Sequence, residues 1–562
     1  MDQHSHGEAP VPPRRTYWNT RMGVVLAVAG SAVGLGNFVR FPAQVVDNGG
    51  GAFMIPYFIA LLLIGLPIAW SEWAMGRAGG IRGYNSAPGI FSMFWPRPGR
   101  SLLGGWSLMI PVGIFSYYIY IQGWCLAYAY FYLVGHVPGA VPLEEGGEVA
   151  PASAFFLALV GYGGDGEVLT MQRTILPFVG ICMLLNLALV WRGLNRGIEW
   201  FCRWAMPLLV VVALVVLVRV LTLGSVTAED GSQRHLLDGL GYMWNPSSDE
   251  RSWYEALSNP GIWMAATSQI FFSLSIGLGV IVVYASYLRR RDDVALSSTT
   301  AVAGNGFCEV VLGGLIVIPA IFLFLGMAGI ESAAGSTLGT GFMALPSVFV
   351  EMPMGRMVGF LFFSLLFLAA VTSSISMLQP GIAFLEEGLG LRRTSAALTL
   401  AIPGLIGLGL VLWLSGSLIA LDTIDFWMGS FAIFVLALVQ LLLFGWSFGI
   451  RRGMAELHRG ADIRLPMIVG ILIKYVAPVY LGVIFIAWLV QQITAEGDDN
   501  RFQAIMGSWQ VMVSFGFVVC LLVLFTSLAA VANMRWRQQA RQGLIPDPDY
   551  AMDHDIIEED AP

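Results

Sequence analysis

The residues best suited to chemistry form one stretch, Ser31 to Phe41, which reads Ser-Ala-Val-Gly-Leu-Gly-Asn-Phe-Val-Arg-Phe. It lies inside an apolar segment that is long enough to cross a bilayer. Its glycines predict a break in the helix, beside the polar residues Asn37 and Arg40. Within hydrocarbon, a break leaves backbone N–H and C=O groups unpaired at a high cost unless protein or a ligand satisfies them. The stretch therefore predicts half of a binding site.

A second stretch of this kind, Phe272 to Gly279, reads Phe-Ser-Leu-Ser-Ile-Gly-Leu-Gly and lies five apolar segments later. Glycine-interrupted segments in matching positions of two halves are typical of transporters built as inverted repeats, with a binding site at the bilayer midplane. We therefore predict a 5+5 inverted repeat with broken helices 1 and 6. The predicted segments are a cytoplasmic N-terminal segment at 1–20, the two repeats at 21–225 and 226–450, helices 11 and 12 at 451–536, and a cytoplasmic tail at 537–562.

The composition is that of a membrane protein. Of the 562 residues, 56% are hydrophobic and only 12% are charged, with a mean hydropathy of +0.71. Soluble domains carry about 25% charged residues. Since about 20 apolar residues span a bilayer as a helix, we predict an all-α polytopic membrane protein with about 12 transmembrane helices. The predicted helices start near residues 22, 52, 103, 173, 200, 261, 298, 357, 395, 418, 466 and 505.

Arginines fall in every second connection between these segments, as at Arg82, Arg192, Arg289 and Arg392. Cytoplasmic loops carry the excess of Lys and Arg, so both termini are expected in the cytoplasm. Residues 1–20 lack the apolar core of a signal peptide. The net charge of −7, with no basic stripe outside the loops, predicts no nucleic-acid partner. The five cysteines suggest no disulfide framework.

Motifs along nearly the whole chain resemble those of a known family. They are Gly34 to Pro42, Asn48 to Phe53, Glu72 to Arg77, Gln269 to Tyr287, Asn305 to Gly314, Thr372 to Pro380 and Asp425 to Trp427. In this order they resemble the neurotransmitter:sodium symporter family, in particular its bacterial amino-acid transporters. The resemblance implies sodium-coupled symport of an amino acid by alternating access, with the amino acid, sodium ions and the lipid bilayer as partners. It also implies a location in a bacterial plasma membrane.

The resemblance implies two sodium sites, and sodium as a hard cation prefers oxygen ligands. The residues implied at the first site are Ala32, Asn37, Ser273 and Asn305, and those at the second are Gly30, Val33, Ala369, Thr372 and Ser373. Without the family context other roles are open. Thr372 and Ser373 could bond back to carbonyls one turn earlier, and Asn37 and Asn305 could hold two helices together.

For the substrate, the resemblance implies an amino acid held by its carboxylate and ammonium groups. Half-helix N-termini carry roughly +0.5 of a charge and free N–H groups, which suits the carboxylate. The implied substrate-binding residues are Ala32, Leu35, Gly36, Ile114, Tyr118, Phe272, Ser273, Ser275, Leu278, Ser373 and Met377. None is an acid or a base, so a neutral, hydrophobic or aromatic amino acid is expected. Leu278 replaces a larger aromatic residue of a leucine-selective relative, which favours a bulkier ligand.

Charged residues flank this site on both sides. The resemblance implies an outer gate of Arg40 and Asp425, and an inner gate of Arg15 and Glu387 near Tyr287. From sequence alone, Arg15 also fits the ordinary excess of arginine in cytoplasmic segments.

Glu309 is an acid inside an apolar segment. The resemblance places it where chloride-dependent animal relatives have serine. Its carboxylate is therefore expected to substitute for chloride, with transport independent of chloride, and its protonation to accompany the return step.

Three alternatives remain open from the sequence. A symporter of the same fold could carry another small solute. An ion channel would need repeated rings of pore-lining groups, which two asymmetric breaks do not suggest. An enzyme lacks support, because there is no His-Glu-x-x-His motif and all six histidines lie in loops or ends. The expected oligomeric state is a monomer or a weak homodimer.

Overall fold

The computed structural model describes residues 17–95, 99–136, 151–162, 173–227, 231, 233–247, 252–333, 337–494 and 500–546. Arg15 and residues 547–562 lie outside these ranges. Within them the chain forms apolar helices that we number as spans 1 to 12. The spans are Arg21–Ala32 with Gly36–Asp47, Gly51–Ile81, Arg100–Val134, Arg173–Trp191, Leu194–Leu221, Pro260–Leu274 with Val280–Ser286, Val294–Met327, Gly355–Leu389, Arg393–Trp413, Ile419–His458, Met467–Thr494 and Trp509–Arg541.

Ten of these helices, among the described residues, are long and apolar enough to cross a membrane singly, and the bent pair of span 1 makes an eleventh. Span 6 is divided into helices of 15 and 7 residues, each too short to cross a membrane alone. The protein is therefore an integral membrane protein with the predicted all-α fold.

Both predicted breaks are present. Span 1 bends by 47°, and at Val33 the backbone leaves the helix with φ −76° and ψ 99°. In span 6, Ser275, Gly277 and Gly279 have positive φ values of 54°, 73° and 75°. This left-handed region is accessible to glycine because it has no Cβ, which explains why the helix ends before it and restarts at Val280.

Close helix contacts hold the broken spans in place. A methyl group on Gly313 of span 7 would lie 1.9 Å from the carbonyl oxygen of Asn37, and one on Gly80 of span 2 would lie 1.8 Å from that of Ser286. Glycine lets the backbones approach to these distances. Spans 2 and 7 thus pack directly against the broken segments.

Wide π-helical turns interrupt several spans in the described part of the chain, and three of these turns contain polar residues of the predicted sites. They cover Gly36–Arg40, Phe307–Gly314 and Asp425–Ala432, and so contain Asn37, Glu309 and Asp425. Such turns are frequent at functional sites because they re-aim a side chain without ending the helix.

The connections between spans lie on two opposite faces of the bundle, called upper and lower here. The upper face carries the connections after spans 3, 5, 7, 9 and 11, and the lower face carries the arginine-rich connections. Upper-face elements include a two-stranded ribbon in which Ser225–Thr227 pairs antiparallel with Gln233–His235. The short helices are Ala87–Phe94, Pro151–Val160, Leu236–Trp244, Trp253–Ser258, Thr337–Gly339, Thr340–Ala344, Leu345–Glu351 and Arg501–Gly507.

Candidate functional site

Polar oxygens from spans 1, 6 and 7 meet at the two breaks. One atom of the Asn305 side-chain amide faces Asn37. This atom lies 2.8 Å from Asn37 Nδ2, 3.2 Å from the Ala32 carbonyl oxygen and 3.3 Å from the Ser273 carbonyl oxygen. The Gly34 N–H donates to Asn37 Oδ1 at 2.9 Å, which fixes Nδ2 toward Asn305. The Asn305 atom that accepts from it is therefore Oδ1.

Three oxygens, those of Asn305, Ala32 and Ser273, thus lie together with one donor among them. Neutral oxygens in close contact repel one another unless a proton or a cation lies between them. Carbonyl and amide oxygens are the ligands that a hard cation such as sodium prefers. The donor set of this first oxygen cluster therefore fits a small monovalent cation.

Glu309 is fully buried beside this cluster. It accepts hydrogen bonds from the Tyr57 hydroxyl at 2.6 Å, the Ser273 hydroxyl at 3.0 Å and Asn305 Nδ2 at 3.4 Å, and also from Gln269 Nε2. Each of these four groups donates, as a buried carboxylate requires. Ser273 and Asn305 belong to both assemblies, so the carboxylate and the oxygen cluster share two side chains.

The residues expected at a second sodium site lie between spans 1 and 8. The Ser373 hydroxyl donates to the carbonyl oxygens of Ser31 at 3.2 Å and Gly30 at 3.5 Å. The Thr372 hydroxyl instead bonds back within its own helix, to Ala369 at 2.9 Å. Ser373 thus links the two spans, whereas Thr372 adopts the back-bonded arrangement common for such residues. Ligation at this place stays a prediction.

A narrow pocket lies between these two polar regions. Its lining is formed by Ser31, Ala32, Gly34, Gly36, Ile114, Tyr118, Phe272, Ser275, Leu278, Ser373, Met377 and Ile433. No acidic or basic side chain is among them. At one end, the Leu35 N–H donates to the Tyr118 oxygen at 3.4 Å, and at the other the Ser275 hydroxyl donates to the Ser31 carbonyl at 2.9 Å. The pocket volume is about 10 Å³, so a bound solute must displace side chains.

Two of the predicted substrate residues have side chains outside this pocket. Leu35 lines the cavity above the pocket, because it sits at the start of the second half of span 1. The Ser273 side chain points toward Glu309. The other nine predicted residues line the pocket.

An upper vestibule of about 310 Å³ opens above the pocket. Arg40 and Asp425 both line it, with Leu338 and Phe342 from the segment between spans 7 and 8. That segment thus reaches into the vestibule as a cap.

The predicted outer ion pair is not formed. The Arg40 guanidinium lies 4.4 Å from the Phe272 ring centroid and donates to the Ser268 hydroxyl at 3.1 Å. Asp425 accepts from the Tyr117 hydroxyl at 2.5 Å. No ion pair joins Arg40 to Asp425 in the described part of the chain. Each charge has another partner, so the gate residues face one vestibule without touching.

On the lower side, Trp18 seals the path from the pocket. Its indole N–H donates to the Tyr284 carbonyl at 2.9 Å, and its backbone N–H donates to that of Tyr287 at 3.4 Å. Glu387 accepts from the backbone N–H of Ser86 at 2.8 Å and its hydroxyl at 2.9 Å, and also from the Asn85 N–H. Glu387 therefore anchors the start of the helix Ala87–Phe94. Its predicted partner Arg15 lies outside the described residues, so that pair stays a prediction.

A family model described as the sodium:neurotransmitter symporter family matches residues 15–142 and 167–535. The chain belongs to the sodium:neurotransmitter symporter family. This confirms the resemblance carried by the sequence motifs, and sodium-dependent transport is the activity of this family of symporters.

Individual relatives cover most of the symporter. A protein of Methanocaldococcus jannaschii described as an uncharacterized sodium-dependent transporter is 28% identical, over 84% of this chain and 89% of its own. The sodium-dependent nutrient amino acid transporter 1 of Drosophila simulans is 26% identical, over 84% of this chain and 77% of its own. The crystal structure of MhsT in complex with L-phenylalanine aligns with a TM-score of 0.70 at 28% identity, covering 84% of this chain and 99% of MhsT.

Sequence reasoning missed several residues of the symporter site. Tyr57 and Gln269 bind Glu309, and Tyr117 binds Asp425. A signal existed for Gln269, because Gln269 and Ser273, like Asn305 and Glu309, are four residues apart and share a helix face. Tyr57 and Tyr117 carry no such signal, since buried aromatic residues are common in every span.

Proposed function

We propose that this symporter couples the entry of two sodium ions to the uptake of a neutral, hydrophobic or aromatic amino acid, by chloride-independent alternating access. It acts in a bacterial plasma membrane with both termini and the lower face in the cytoplasm, and it catalyses no chemical reaction. The observation that carries the proposal is the oxygen cluster of Ala32, Ser273 and Asn305 beside a pocket without acidic or basic side chains.

The pocket chemistry supports an amino-acid substrate. The Leu35 N–H at the start of a half-helix offers a donor for a carboxylate. The Ser31 carbonyl accepts from Ser275 and Ser373, and an ammonium group would replace one of these two donors. The side-chain region contains Ile114, Leu278 and Met377, so burial of a charged side chain there would be unfavourable. The Drosophila simulans relative named for amino acids, and the phenylalanine bound to MhsT, agree with this substrate class.

Two sodium ions would supply enough free energy for strong accumulation of the substrate. Moving one positive charge through 100 mV is worth about 2.3 kcal/mol, and a tenfold sodium gradient adds about 1.4 kcal/mol. Two ions together supply roughly 7 kcal/mol, which sustains about a 10⁵-fold gradient of a zwitterion under tight coupling. One ion sustains only about a 10³-fold gradient.

Uptake into proteoliposomes tests the proposal. The purified symporter is reconstituted, and a panel of radiolabelled amino acids is supplied with an inward sodium gradient in chloride or gluconate. Uptake of leucine-like or aromatic amino acids, unchanged by gluconate, is expected. No uptake of any amino acid would overturn the proposal, and uptake of only charged ones would overturn the substrate class.

Leu278 is expected to set the size of the substrate. It lines the pocket and is almost fully buried, with 3% exposure. In Leu278→Phe the extra ring atoms occupy space that an aromatic substrate needs, because overpacking a filled site costs about 1–3 kcal/mol. The ratio of phenylalanine to alanine uptake should fall at least about fivefold. An equal ratio in wild type and variant would remove Leu278 from the specificity pocket.

A Thr372 variant tests whether the Thr372 hydroxyl binds sodium or only bonds back within its own helix. In Thr372→Val the hydroxyl is lost while the shape is kept, and loss of a ligand should raise the sodium concentration for half-maximal uptake about tenfold. The matched control is Thr267→Val, because the Thr267 hydroxyl also bonds back one turn, to the Trp263 carbonyl at 2.7 Å. Equal sodium dependence in both variants would show that Thr372 has only the back-bonded role.

A further inference from the structure

Lys474 is the single lysine among the 30 Lys and Arg residues of the chain. It lies in span 11, seven residues after the first residue Met467, within the wide turn Leu472–Val476. The span has 28 residues, so it is about 42 Å long and extends about 6 Å beyond each side of a 30 Å hydrocarbon core. The Lys474 backbone therefore lies about 4 Å inside the lower boundary of the hydrocarbon.

A second wide turn, Leu443–Gly449 of span 10, packs against this lysine. A methyl group on Gly445 would lie 3.2 Å from the Lys474 Cα, so the two backbones approach closely. The Trp446 indole N–H donates to the Lys474 carbonyl oxygen at 3.1 Å. This bond fixes the indole beside the lysine side chain.

The Lys474 ammonium lies over two aromatic rings. It is 5.2 Å from the ring centroid of Trp446 and 5.2 Å from that of Tyr475, and the two rings meet edge to face. Among the described residues, no Asp or Glu forms an ion pair with Lys474. Trp446 and Tyr475 are 59% and 49% exposed. The charge therefore lies on the outer surface of the bundle, and its partners within the protein are neutral rings.

A cation at this depth requires an anion or water. A charge held in hydrocarbon is costly, and a lysine reduces the cost by extending its stem to the level of the lipid headgroups. Trp and Tyr concentrate at that same level because one end of each ring is apolar and the other polar. The phosphates of anionic lipids lie there as well and attract Lys and Arg. Charge, depth and the exposed rings thus fit a phosphate ester that carries acyl chains.

We propose that Lys474, together with Trp446 and Tyr475, binds the phosphate of an anionic phospholipid in the lower leaflet. The ammonium donates to the phosphate oxygens, and the exposed ring faces contact the glycerol and the first methylenes of the acyl chains. None of the three residues lines the substrate pocket or the upper vestibule. Lipid binding here therefore does not require the symporter to carry an amino acid.

Native mass spectrometry of purified symporter tests the binding directly. The symporter in mild detergent is titrated with phosphatidylglycerol or phosphatidylcholine, and bound lipids are counted. Wild type is expected to bind one phosphatidylglycerol more tightly than phosphatidylcholine. Lys474→Gln should weaken that binding about fivefold, whereas Lys474→Arg keeps the charge and should keep most of the affinity.

The matched control is Arg541→Gln, which removes an exposed cation at the lower end of span 12. It should leave the affinity for phosphatidylglycerol unchanged. Equal affinity in Lys474→Gln and wild type would overturn the proposal. An equal loss in Lys474→Gln and Arg541→Gln would also overturn it, because the attraction would then belong to the whole lower face.

Amine chemistry provides a second test in a bilayer, because Lys474 is the single lysine of the chain. The variant Arg541→Lys adds a reference lysine on the lower face. Both lysines are acetylated with an uncharged reagent in nanodiscs, and peptide mass spectrometry gives the ratio of the two rates. The rate for Lys474 relative to the reference should be about fivefold lower in phosphatidylglycerol than in phosphatidylcholine. Trp446→Leu should remove part of this protection, and equal ratios in the two lipids would overturn the proposal.

Inorganic phosphate is the other source of the same chemistry. Added to the phosphatidylcholine nanodiscs, it is expected to leave the ratio unchanged. Protection of Lys474 by inorganic phosphate as strong as that by phosphatidylglycerol would indicate a site for the free anion, and the proposal would be wrong. Neither measurement uses transport, so an absence of amino-acid uptake would overturn the proposed function and leave the lipid site to these two tests.

Discussion

Replacing Glu309 with serine is expected to make transport depend on chloride. The change removes a buried negative charge and opens a cavity lined by the donors of Tyr57, Gln269, Ser273 and Asn305. The proposed first sodium ion, one layer of side chains away, would lose its nearby negative charge, and a buried charge left uncompensated costs about 3–5 kcal/mol, so uptake in gluconate should fall at least about a hundredfold. Chloride fits the donors and restores the charge, and uptake in chloride should return to within about fivefold of wild type.

The matched control is Glu309→Gln. It removes the same charge but leaves no cavity, so chloride should restore little uptake. Chloride is varied against gluconate at constant sodium, with both variants reconstituted to equal density. Equal uptake of Glu309→Ser in the two anions would contradict the assignment, and so would rescue of Glu309→Gln by chloride.

The sequence predicted the fold through features that act locally. Glycines within apolar segments mark both breaks. Gly277 and Gly279 have positive φ values, and Gly34 and Gly36 follow Val33, where span 1 leaves the helix. The sequence also predicted a shared site for Asn37 and Asn305, and the structure brings their side-chain amides to 2.8 Å. Local patterns and family motifs therefore located most of the pocket.

Partners between distant spans were harder to predict. Tyr117 and Asp425 are separated by 308 residues, and Asn85 and Glu387 by 302. No sequence periodicity relates positions that are so far apart, and a long polar side chain in a folded bundle has several possible hydrogen-bond partners. Asp425 binds Tyr117, and Arg40 packs on Phe272. The predicted gate residues came from the motifs, but their contacts depend on the conformation of the bundle.

Ser273 and Asn305 bind Glu309 and also belong to the oxygen cluster, which indicates how the charge of Glu309 and sodium binding are linked. Ser273 donates to Glu309 at 3.0 Å, while its carbonyl faces Asn305 in the oxygen cluster. Asn305 donates toward Glu309 through Nδ2 and presents Oδ1 to the cluster. A change in the charge of Glu309 must therefore alter the orientation and polarity of two predicted sodium ligands, which couples the two sites over a single layer of side chains.

Replacing Asn305 with alanine is expected to abolish sodium coupling at the first site. The change removes Oδ1 from the cluster and leaves Asn37 Nδ2 without that acceptor, and an unsatisfied buried polar group costs about 1–3 kcal/mol. Together with the lost ligand, this should raise the sodium concentration for half-maximal substrate binding at least about thirtyfold. The measurement is binding of radiolabelled substrate to purified symporter across a sodium titration, with total charge kept constant by a large organic cation.

Asn533→Ala separates this effect from a general loss of stability. Asn533 is a buried asparagine whose amide donates to the Ser101 hydroxyl at 2.9 Å, outside the site. Its loss should lower thermal stability without changing the sodium titration. Asn305→Ser keeps an oxygen on the side chain and should recover part of the sodium affinity. If Asn305→Ala and Asn533→Ala gave the same sodium dependence, the Asn37–Asn305 bond would serve only to hold spans 1 and 7 together, and the first sodium site would lie elsewhere.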